Sequence, residues 1–481
     1  MTLSDSAAAV VESPNVPVGI LRDMARDWDW IGVRHEEFGI RTRTDLNGDG
    51  REEVEMLGMC GSAELCVSYY YRQEADGAFT RLLAAETAEG GLEPLRHRTH
   101  GYRDLRSEAP MTGTQRPVPV IYRYDGTEYQ PNGLATAIPH SLSAADLNGD
   151  GRMDLLVGGY TGTTFLLPGD GRGGFGAPSF TTTPRFTDVV TLADVNRDGR
   201  ADLVVAPEYS AVRLHPGDGR GGFGAARELA DSANWLAVAD MNGDGAPDLV
   251  ATRQDHGTVT VMLNDGRGGF RAARGFSADA RLGALAVADL DGDGRQDVAV
   301  ADAGALGLDH RVAILRGDGR GGLGARTDAD AGFAPSQLHV ADVDGDGKPD
   351  VVASGQVRNV AVLLNRGGSF AVRQVPVELW VDASAVGDVN GDGRPDLVAA
   401  TSRYRDVLVV LLGTGGGRFR RSARLPVGRW PAALAIADVN GDGKPDIAVA
   451  NEDSDDIALL MGRGDGTFGR GAVVRLRRPF H

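Results

Sequence analysis

The residues best suited to chemistry in this sequence are aspartates that recur in a nine-residue pattern. The clearest copy is DVNGDGKPD, residues 438 to 446, with oxygen-bearing side chains at positions 1, 3, 5 and 9. A glycine at position 6 allows the sharp turn that brings these side chains and the carbonyl of position 7 toward one point. Ligands that are all oxygen select a hard cation, and Ca²⁺ tolerates flexible geometry better than Mg²⁺ does. The pattern therefore predicts a calcium loop.

The pattern occurs seven times from residue 146 to residue 446, at steps of 46 to 53 residues. Asp, Asn and Gly also form ordinary turns, but a turn does not require four such residues at fixed spacing. Position 12 of the first copy is Val157 rather than the glutamate of an EF-hand, so the loop is not an EF-hand. The predicted ligands, with position 7 contributing its backbone carbonyl, are Asp146, Asn148, Asp150, Arg152 and Asp154; Asp194, Asn196, Asp198, Arg200 and Asp202; Asp240, Asn242, Asp244, Ala246 and Asp248; Asp289, Asp291, Asp293, Arg295 and Asp297; Asp342, Asp344, Asp346, Lys348 and Asp350; Asp388, Asn390, Asp392, Arg394 and Asp396; and Asp438, Asn440, Asp442, Lys444 and Asp446.

The charge of the chain agrees with bound cations. The formal net charge is −17, and five of the loops carry three carboxylates while two carry four. Without cations these carboxylates would repel one another, and some would have to take up protons. The same negative charge argues against nucleic acid or an anionic membrane as a partner. No apolar run is long enough for a transmembrane helix.

The elements that position the loops are short strands. Each unit has an alternating run, the acidic loop, an apolar run such as DIAVAN, a second apolar run such as DIALLMG, a glycine-rich turn and a weak last run. These runs are rich in Val, Ile and Leu and are bounded by Gly, Asn and Asp, which is typical of strands. Seven four-stranded units at this period predict an all-β protein with a seven-bladed β-propeller at residues 138–481.

The repeats resemble FG-GAP and VCBS repeats, the type that builds the propeller of the integrin α-subunit. The matching features are the D-x-[DN]-x-D-G-x-x-D loops and the turns of the form LL-x-x-G-x-G-x-F. The resemblance covers about 70% of the chain. It implies Ca²⁺ in the loop between the first and second strands of each blade, on one face of the propeller. It also implies a role in extracellular recognition or adhesion.

The first quarter of the chain predicts a separate small, mainly-β (α+β) domain at residues 1–130, followed by a linker at 131–137. An eighth loop, DLNGDGREE, offers Asp45, Asn47, Asp49 and Glu53, so seven or eight calcium ions are expected. Cys60 and Cys66 are close enough in sequence for a disulfide across a hairpin, and two free thiols are the alternative.

The face opposite the calcium loops is where a ligand would bind. Trp235, Trp380 and Trp430 each precede a loop by five to eight residues, so they should lie near that face. They either contact a ligand or fill gaps between blades. The first function hypothesis is a calcium-stabilised recognition or adhesion protein, the second a glycan-binding lectin, and the third a polysaccharide-degrading enzyme.

The aspartates at regular spacing are assigned to metal loops and no nucleophile motif is present, so a non-enzymatic protein is expected. Calcium loops and the cysteine pair suit an extracellular protein or glycan partner and an extracellular or cell-surface location. The N-terminus does not read as a signal peptide, which is in tension with that location.

Overall fold

The structure is a computed structural model that describes most of the repeat region and, in the first quarter of the chain, the backbone of strands. The described residues are 39–44, 53–57, 66–73, 79–87, 92–99, 102–109, 118–124, 129–134, 139–159, 162–183, 187–207, 211–253, 257–278, 282–302, 310–377, 380–402 and 406–476. The chain divides into two compact units, with the boundary between Thr136 and Ala137.

The first unit contains two four-stranded antiparallel sheets, each formed by consecutive strands. The strands are β1 (Gly39–Thr44), β2 (Glu53–Leu57), β3 (Cys66–Gln73), β4 (Phe79–Thr87), β5 (Leu92–Thr99), β6 (Tyr102–Ala109), β7 (Val118–Tyr124) and β8 (Tyr129–Leu134). The linker predicted at 131–137 therefore overlaps the last strand of this unit.

The second unit consists of seven four-stranded antiparallel sheets, and each sheet uses four consecutive strands, A to D. Blades one to four are β9 (Pro139–Ala145), β10 (Asp154–Gly159), β11 (Thr163–Leu167) and β12 (Ser179–Thr182); β13 (Thr187–Ala193), β14 (Asp202–Pro207), β15 (Ala211–His215) and β16 (Arg227–Ser232); β17 (Trp235–Ala239), β18 (Asp248–Arg253), β19 (Thr258–Met262) and β20 (Arg274–Ser277); and β21 (Leu282–Ala288), β22 (Asp297–Asp302), β23 (Arg311–Gly317) and β24 (Leu323–Asp330). Blades five to seven are β25 (Gln337–Ala341), β26 (Asp350–Ser354), β27 (Asn359–Asn365) and β28 (Phe370–Pro376); β29 (Ala383–Gly387), β30 (Asp396–Thr401), β31 (Val407–Gly415) and β32 (Arg418–Pro426); and β33 (Pro431–Ala437), β34 (Asp446–Asn451), β35 (Asp456–Gly462) and β36 (Phe468–Arg475).

The B and C strands are mainly apolar because both of their faces are largely buried between neighbouring blades. On β10, Leu155 and Val157 pack toward blade seven, whereas Leu156 packs toward blade two. Side chains alternate between the faces of a strand, so one short apolar run supplies two separate interfaces. Seven hydrophobic clusters of this kind each join two neighbouring blades.

The ring closes by side-chain packing between the last and first blades. Strand β33 lies beside β9, and the shared cluster combines Phe165 and Leu167 of blade one with Ile457 and Leu459 of blade seven. The blades keep the strand order of the chain, so no strand of one blade completes the sheet of another. The predicted seven-bladed propeller is confirmed. Among the described residues, no helix has the length and apolar character needed to span a membrane.

Candidate metal sites and the opposite face

All seven predicted loops lie in the same place in their blades, between strand A and strand B. The first loop leaves β9 at Asp146 and ends at Asp154, the first residue of β10. The A strands neighbour one another around the ring, so the A strand is the innermost strand of each blade. The loops therefore lie together at the inner edge of one face of the propeller.

Backbone N–H groups hold the loop side chains in a fixed arrangement, which the first loop illustrates. Asp146 Oδ1 accepts a hydrogen bond from Gly149 N–H at 2.7 Å, and its Oδ2 accepts one from Gly151 N–H at 2.8 Å. The Asn148 and Asp150 side chains each accept from the N–H two residues later, both at 2.9 Å. The bond to position 6 recurs in all seven loops at 2.7–2.8 Å. The side chains that would bind a cation are thus ordered by the loop itself.

Position 4 explains a second glycine of the pattern. It has a positive φ in the described loops, for example +75° at Gly149, and this is a conformation that glycine adopts without strain. The second loop has Arg197 there at φ +59°, the exception among the seven. A long cationic side chain therefore projects from the tip of the second loop, at a position where the other loops have only glycine.

The aspartate at position 9 is buried and connects the loop to the end of strand C. Asp350 Oδ2 accepts from Val343 N–H at 3.0 Å, and its Oδ1 accepts from Asn365 N–H at 2.7 Å. All seven position-9 side chains are at most 1% exposed and make the same pair of bonds. Burial raises the pKa of each of them, and that of Asp350 to about 6. A neighbouring cation would offset this cost of keeping the carboxylate ionised.

Two of the loops bring three carboxylates close enough to hold one metal ion. In blade four the group is Asp289, Asp291 and Asp293, and in blade five it is Asp342, Asp344 and Asp350; within each, the ligand atoms lie within 4.8 Å of one another. These are the loops with Asp at position 3; the other five have Asn there, which offers an amide oxygen. All of these candidate ligand atoms are oxygens, which suits the hard cation expected from the sequence.

Three arginines outside the predicted ligand sets also contact the loops. The Arg316 guanidinium lies against Asp291, and Arg366 Nη1 lies 2.7 Å from Asp344 Oδ2. Arg197 crosses to blade three, where Nη2 donates to Asp244 O at 2.9 Å and lies 3.8 Å from Asp244 Oδ1. A comparison of the seven repeats could have identified these residues, because each arginine departs from what most other blades have at the same position.

A family model for the FG-GAP-like repeat matches seven overlapping segments of the chain: 146–205, 194–251, 240–300, 289–353, 342–399, 388–449 and 438–479. The chain belongs to the FG-GAP-like repeat family. No curated protein sequence is a significant match to it.

Several solved structures resemble this FG-GAP propeller. One is a lectin from Agrocybe aegerita described as recognising non-reducing terminal N-acetylglucosamine, with 21% identity, 75% of this chain and 88% of that chain covered, and a TM-score of 0.36. Another is BBS1N in complex with ARL6DN, with 14% identity, 72% and 94% covered, and a TM-score of 0.49. A third is the biofilm matrix protein Bap1 of V. cholerae, with 13% identity, 92% and 88% covered, and a TM-score of 0.42.

Neighbouring blades of the FG-GAP propeller support one another's loops. Asn264 of blade three donates from Nδ2 to Val195 O, at position 2 of the blade-two loop, at 2.6 Å. Asn365 of blade five does the same to Leu290 O of blade four at 2.7 Å. A carbonyl within the loop is therefore fixed from the next blade, so the loops form part of the blade interfaces.

The three tryptophans differ in their surroundings. Trp235 opens β17, is partly buried and packs against the clusters on both sides of blade four, as a residue that fills gaps would. Trp380 lies three residues before the start of β29 and is also partly buried. Trp430 is 40% exposed and has φ +56°, a rare conformation for a bulky residue. Among these three tryptophans, Trp430 is therefore the most exposed.

Several predicted residues fall outside the described part of the chain. Asp45, Asn47, Asp49 and Cys60 lie there, and for Glu53 and Cys66 only the backbone is described, at the starts of β2 and β3. The eighth calcium loop and the disulfide therefore remain predictions.

Proposed function

We propose that this protein is a calcium-binding recognition protein that acts outside the cell or at its surface, with one Ca²⁺ in each of the seven loops. The observation that carries the proposal is the repeated arrangement of oxygen ligands, ordered by backbone N–H groups and closed by a buried position-9 carboxylate. In each loop the side chains of positions 1, 3, 5 and 9 and the carbonyl of position 7 would hold the ion. Bound Ca²⁺ would neutralise the loop and stabilise the propeller.

The proposed role is binding rather than catalysis. One Ser–His contact deserves comparison with a catalytic pair: His339 Nε2 lies 2.8 Å from Ser384 Oγ at the interface of blades five and six. However, Ser384 is 6% exposed, and its Oγ also donates to Gln337 Oε1 at 2.8 Å. Burial lowers the pKa of His339 to about 4. These features are those of a polar contact that joins two blades.

Calcium binding is tested by thermal unfolding in EDTA and during a calcium titration, with bound ions counted by mass spectrometry. We expect seven ions in the propeller and a large rise in Tm, since one site at a hundred times its Kd contributes about 2.7 kcal/mol. Asp438→Asn should lose one ion, because it removes one negative charge and places an amide NH2 against a backbone N–H where a carboxylate oxygen now accepts a bond from Gly441 or Gly443.

The matched control is Asp465→Asn in the same blade. Asp465 also accepts backbone and side-chain hydrogen bonds, from Thr467, but it lies in the turn after strand C. It should keep all seven ions. Absence of bound calcium and an unchanged Tm in the wild type would refute the calcium proposal.

Glycan binding is the second candidate, and Trp430 is the observation that favours it. The Trp430 N–H donates to Asp406 Oδ1 at 3.0 Å, and its carbonyl accepts from Glu452 N–H at 2.8 Å. These bonds fix the backbone beneath an exposed ring, and Arg429 lies beside it with Nη1 3.6 Å from Asp453 Oδ2. An exposed aromatic residue with a fixed backbone, beside charged groups, suits stacking against a sugar. Strand β33 separates Trp430 from the loop at Asp438, so the ring would lie on the opposite face, roughly 20 Å away.

A glycan array on wild type, Trp430→Ala and Phe180→Ala tests this candidate. Phe180 is 49% exposed in blade one and serves as the matched aromatic control. We expect any glycan signal to be lost with Trp430→Ala and kept with Phe180→Ala. Equal signals from all three proteins would rule out Trp430 as the binding residue.

A further inference from the structure

The seven loops differ in the number of charged side chains that they contain. Six loops have a basic residue at position 7, and the third loop has Ala246 there. Position 7 contacts the position-5 carboxylate in several loops; for example, Arg295 Nη1 lies 3.5 Å from Asp293 Oδ2. Three carboxylates and the basic residue at position 7 leave a charge of −2 in four of the loops. For the second loop this count leaves out Arg197, which stands at its position 4 but reaches blade three. The third, fourth and fifth loops alone would each be more negative, at −3.

One additional arginine contacts each of these three loops. Arg197 comes from blade two to Asp244 of the third loop, Arg316 to Asp291 of the fourth, and Arg366 to Asp344 and Asp346 of the fifth. With these arginines included, all seven loops have a charge of −2, which is the charge that one divalent cation neutralises.

The three arginines occupy three different positions in their repeats, so they do not result from copying one motif. Arg197 stands where the other loops have glycine. Arg316 directly precedes the residue whose N–H binds the position-9 carboxylate, and the other blades have Pro, Leu or Met there. Arg366 directly follows that residue, where other blades have Asp, Thr or, in blade seven, Arg463.

A glycine of the next blade leaves room for the Arg316 guanidinium. Its Nη2 donates to Gly368 O of blade five at 2.8 Å, and a Cβ on Gly368 would collide with the guanidinium. In blades four, six and seven the corresponding glycine packs instead against a leucine of the preceding blade, such as Leu263 against Gly321. The guanidinium is thus held between its own loop and the next blade, with its side chain 22% exposed.

We propose that Arg197, Arg316 and Arg366 are tethered counter-charges that give all seven loops the same charge and therefore similar affinities for Ca²⁺. This inference rests on the proposed calcium binding and extends it to residues that are not metal ligands. Removal of one arginine should leave its loop at −3 and tighten that site, by about tenfold for a nearby, partly buried charge. In EDTA the same variant should unfold at a lower temperature, because the carboxylates of the loop have lost one tethered counter-charge.

The fourth loop allows a test in which charge is removed and then restored. Arg316→Leu introduces the residue found in equivalent positions, and it should tighten one site. Asp291→Asn should weaken one site, since the loop then has a charge of −1. The double variant Asp291→Asn/Arg316→Leu should return to the wild-type affinity. Arg463→Thr is the control, because Arg463 contacts Thr467 rather than a loop carboxylate.

The measurement is the number of calcium ions per chain, counted by native mass spectrometry in calcium-buffered solutions, together with Tm in EDTA. At a tenth of the wild-type midpoint concentration, Arg316→Leu should carry more calcium than wild type, and Arg463→Thr should not. Identical binding curves for wild type, Arg316→Leu and Asp291→Asn would overturn the counter-charge proposal while leaving calcium binding intact. Absence of calcium from the wild type would overturn the proposed function and this inference with it.

Discussion

Asp350 provides a sharp test of the metal-free loops. Its carboxyl is fully buried at the start of β26, and desolvation raises its pKa from 3.8 to about 6. The folded protein therefore holds this proton more tightly than the unfolded chain does. In EDTA, the contribution of Asp350 is most favourable below about pH 4 and is lost as the pH rises through about 6. The difference between the two pKa values corresponds to about 3 kcal/mol of free energy of unfolding.

Urea unfolding in EDTA at pH values from 4 to 7 measures this contribution when wild type is compared with Asp350→Asn. The asparagine has a similar size but does not titrate, so its effect on the two hydrogen bonds is independent of pH. Exposed aspartates whose pKa is lowered by backbone N–H groups, such as Asp170, act in the opposite direction. They are present in both proteins and cancel in the difference. We expect that difference to change by about 2 kcal/mol across the range, somewhat less than the full effect because pH 4 already lies above the unfolded pKa.

Saturating calcium should reverse the sign of the effect. In the proposed calcium site an ionised Asp350 would hold the ion, so the wild type should gain stability relative to Asp350→Asn as the pH rises through the same range. If the difference between the two proteins in EDTA is the same at pH 4 and pH 7, the carboxyl is not desolvated as the structure indicates, and the reasoning is wrong.

Two further substitutions test how the blades support one another. Asn365→Ala should lower the free energy of unfolding by about 2–4 kcal/mol, because Leu290 O loses a buried hydrogen bond and Pro349 O a partly buried one. Urea unfolding in EDTA measures this loss, and a change below about 0.5 kcal/mol would contradict the prediction. Gly417→Ala should lower the free energy of unfolding by about 1–3 kcal/mol more than Gly416→Ala does. A Cβ on Gly417 would lie 2.6 Å from Leu364, whereas a Cβ on Gly416 would meet nothing within 4 Å. Both glycines have positive φ, so the backbone strain caused by an alanine is common to the pair. Equal losses of unfolding free energy in the two variants would show that Leu364 moves aside at no energetic cost.

The sequence was sufficient for the propeller because the information it needs is local. The alternating and apolar runs, the acidic loops and the glycine-rich turns all lie within one repeat, and seven copies of the same pattern reinforce one another. Position 9 was predicted as a ligand from spacing alone. Its second role, accepting hydrogen bonds from two parts of the blade, depends on strand C lying beside the loop, which the spacing does not specify.

Contacts between blades could not be predicted in the same way. Nothing in the local sequence distinguishes Trp430 from Trp235, although one ring is exposed and the other packs between clusters. Arg197 reaches a loop 47 residues away, so its partner becomes apparent only once blades two and three are placed side by side. Pairings of this kind depend on tertiary geometry, which neither propensity nor periodicity contains.

The junction of blades one and seven differs from the other six junctions in one respect. Each of the others is crossed by the polypeptide, whereas this one is held by the cluster around Phe165 and Ile457 and by the hydrogen bond between His140 Nδ1 and Glu452 Oε1. If the junction between blades one and seven opens, the ring becomes a curved stack of seven blades with two complementary apolar ends. At high protein concentration two such stacks could join end to end instead of reclosing, which makes this junction the place where linear, head-to-tail polymers would begin.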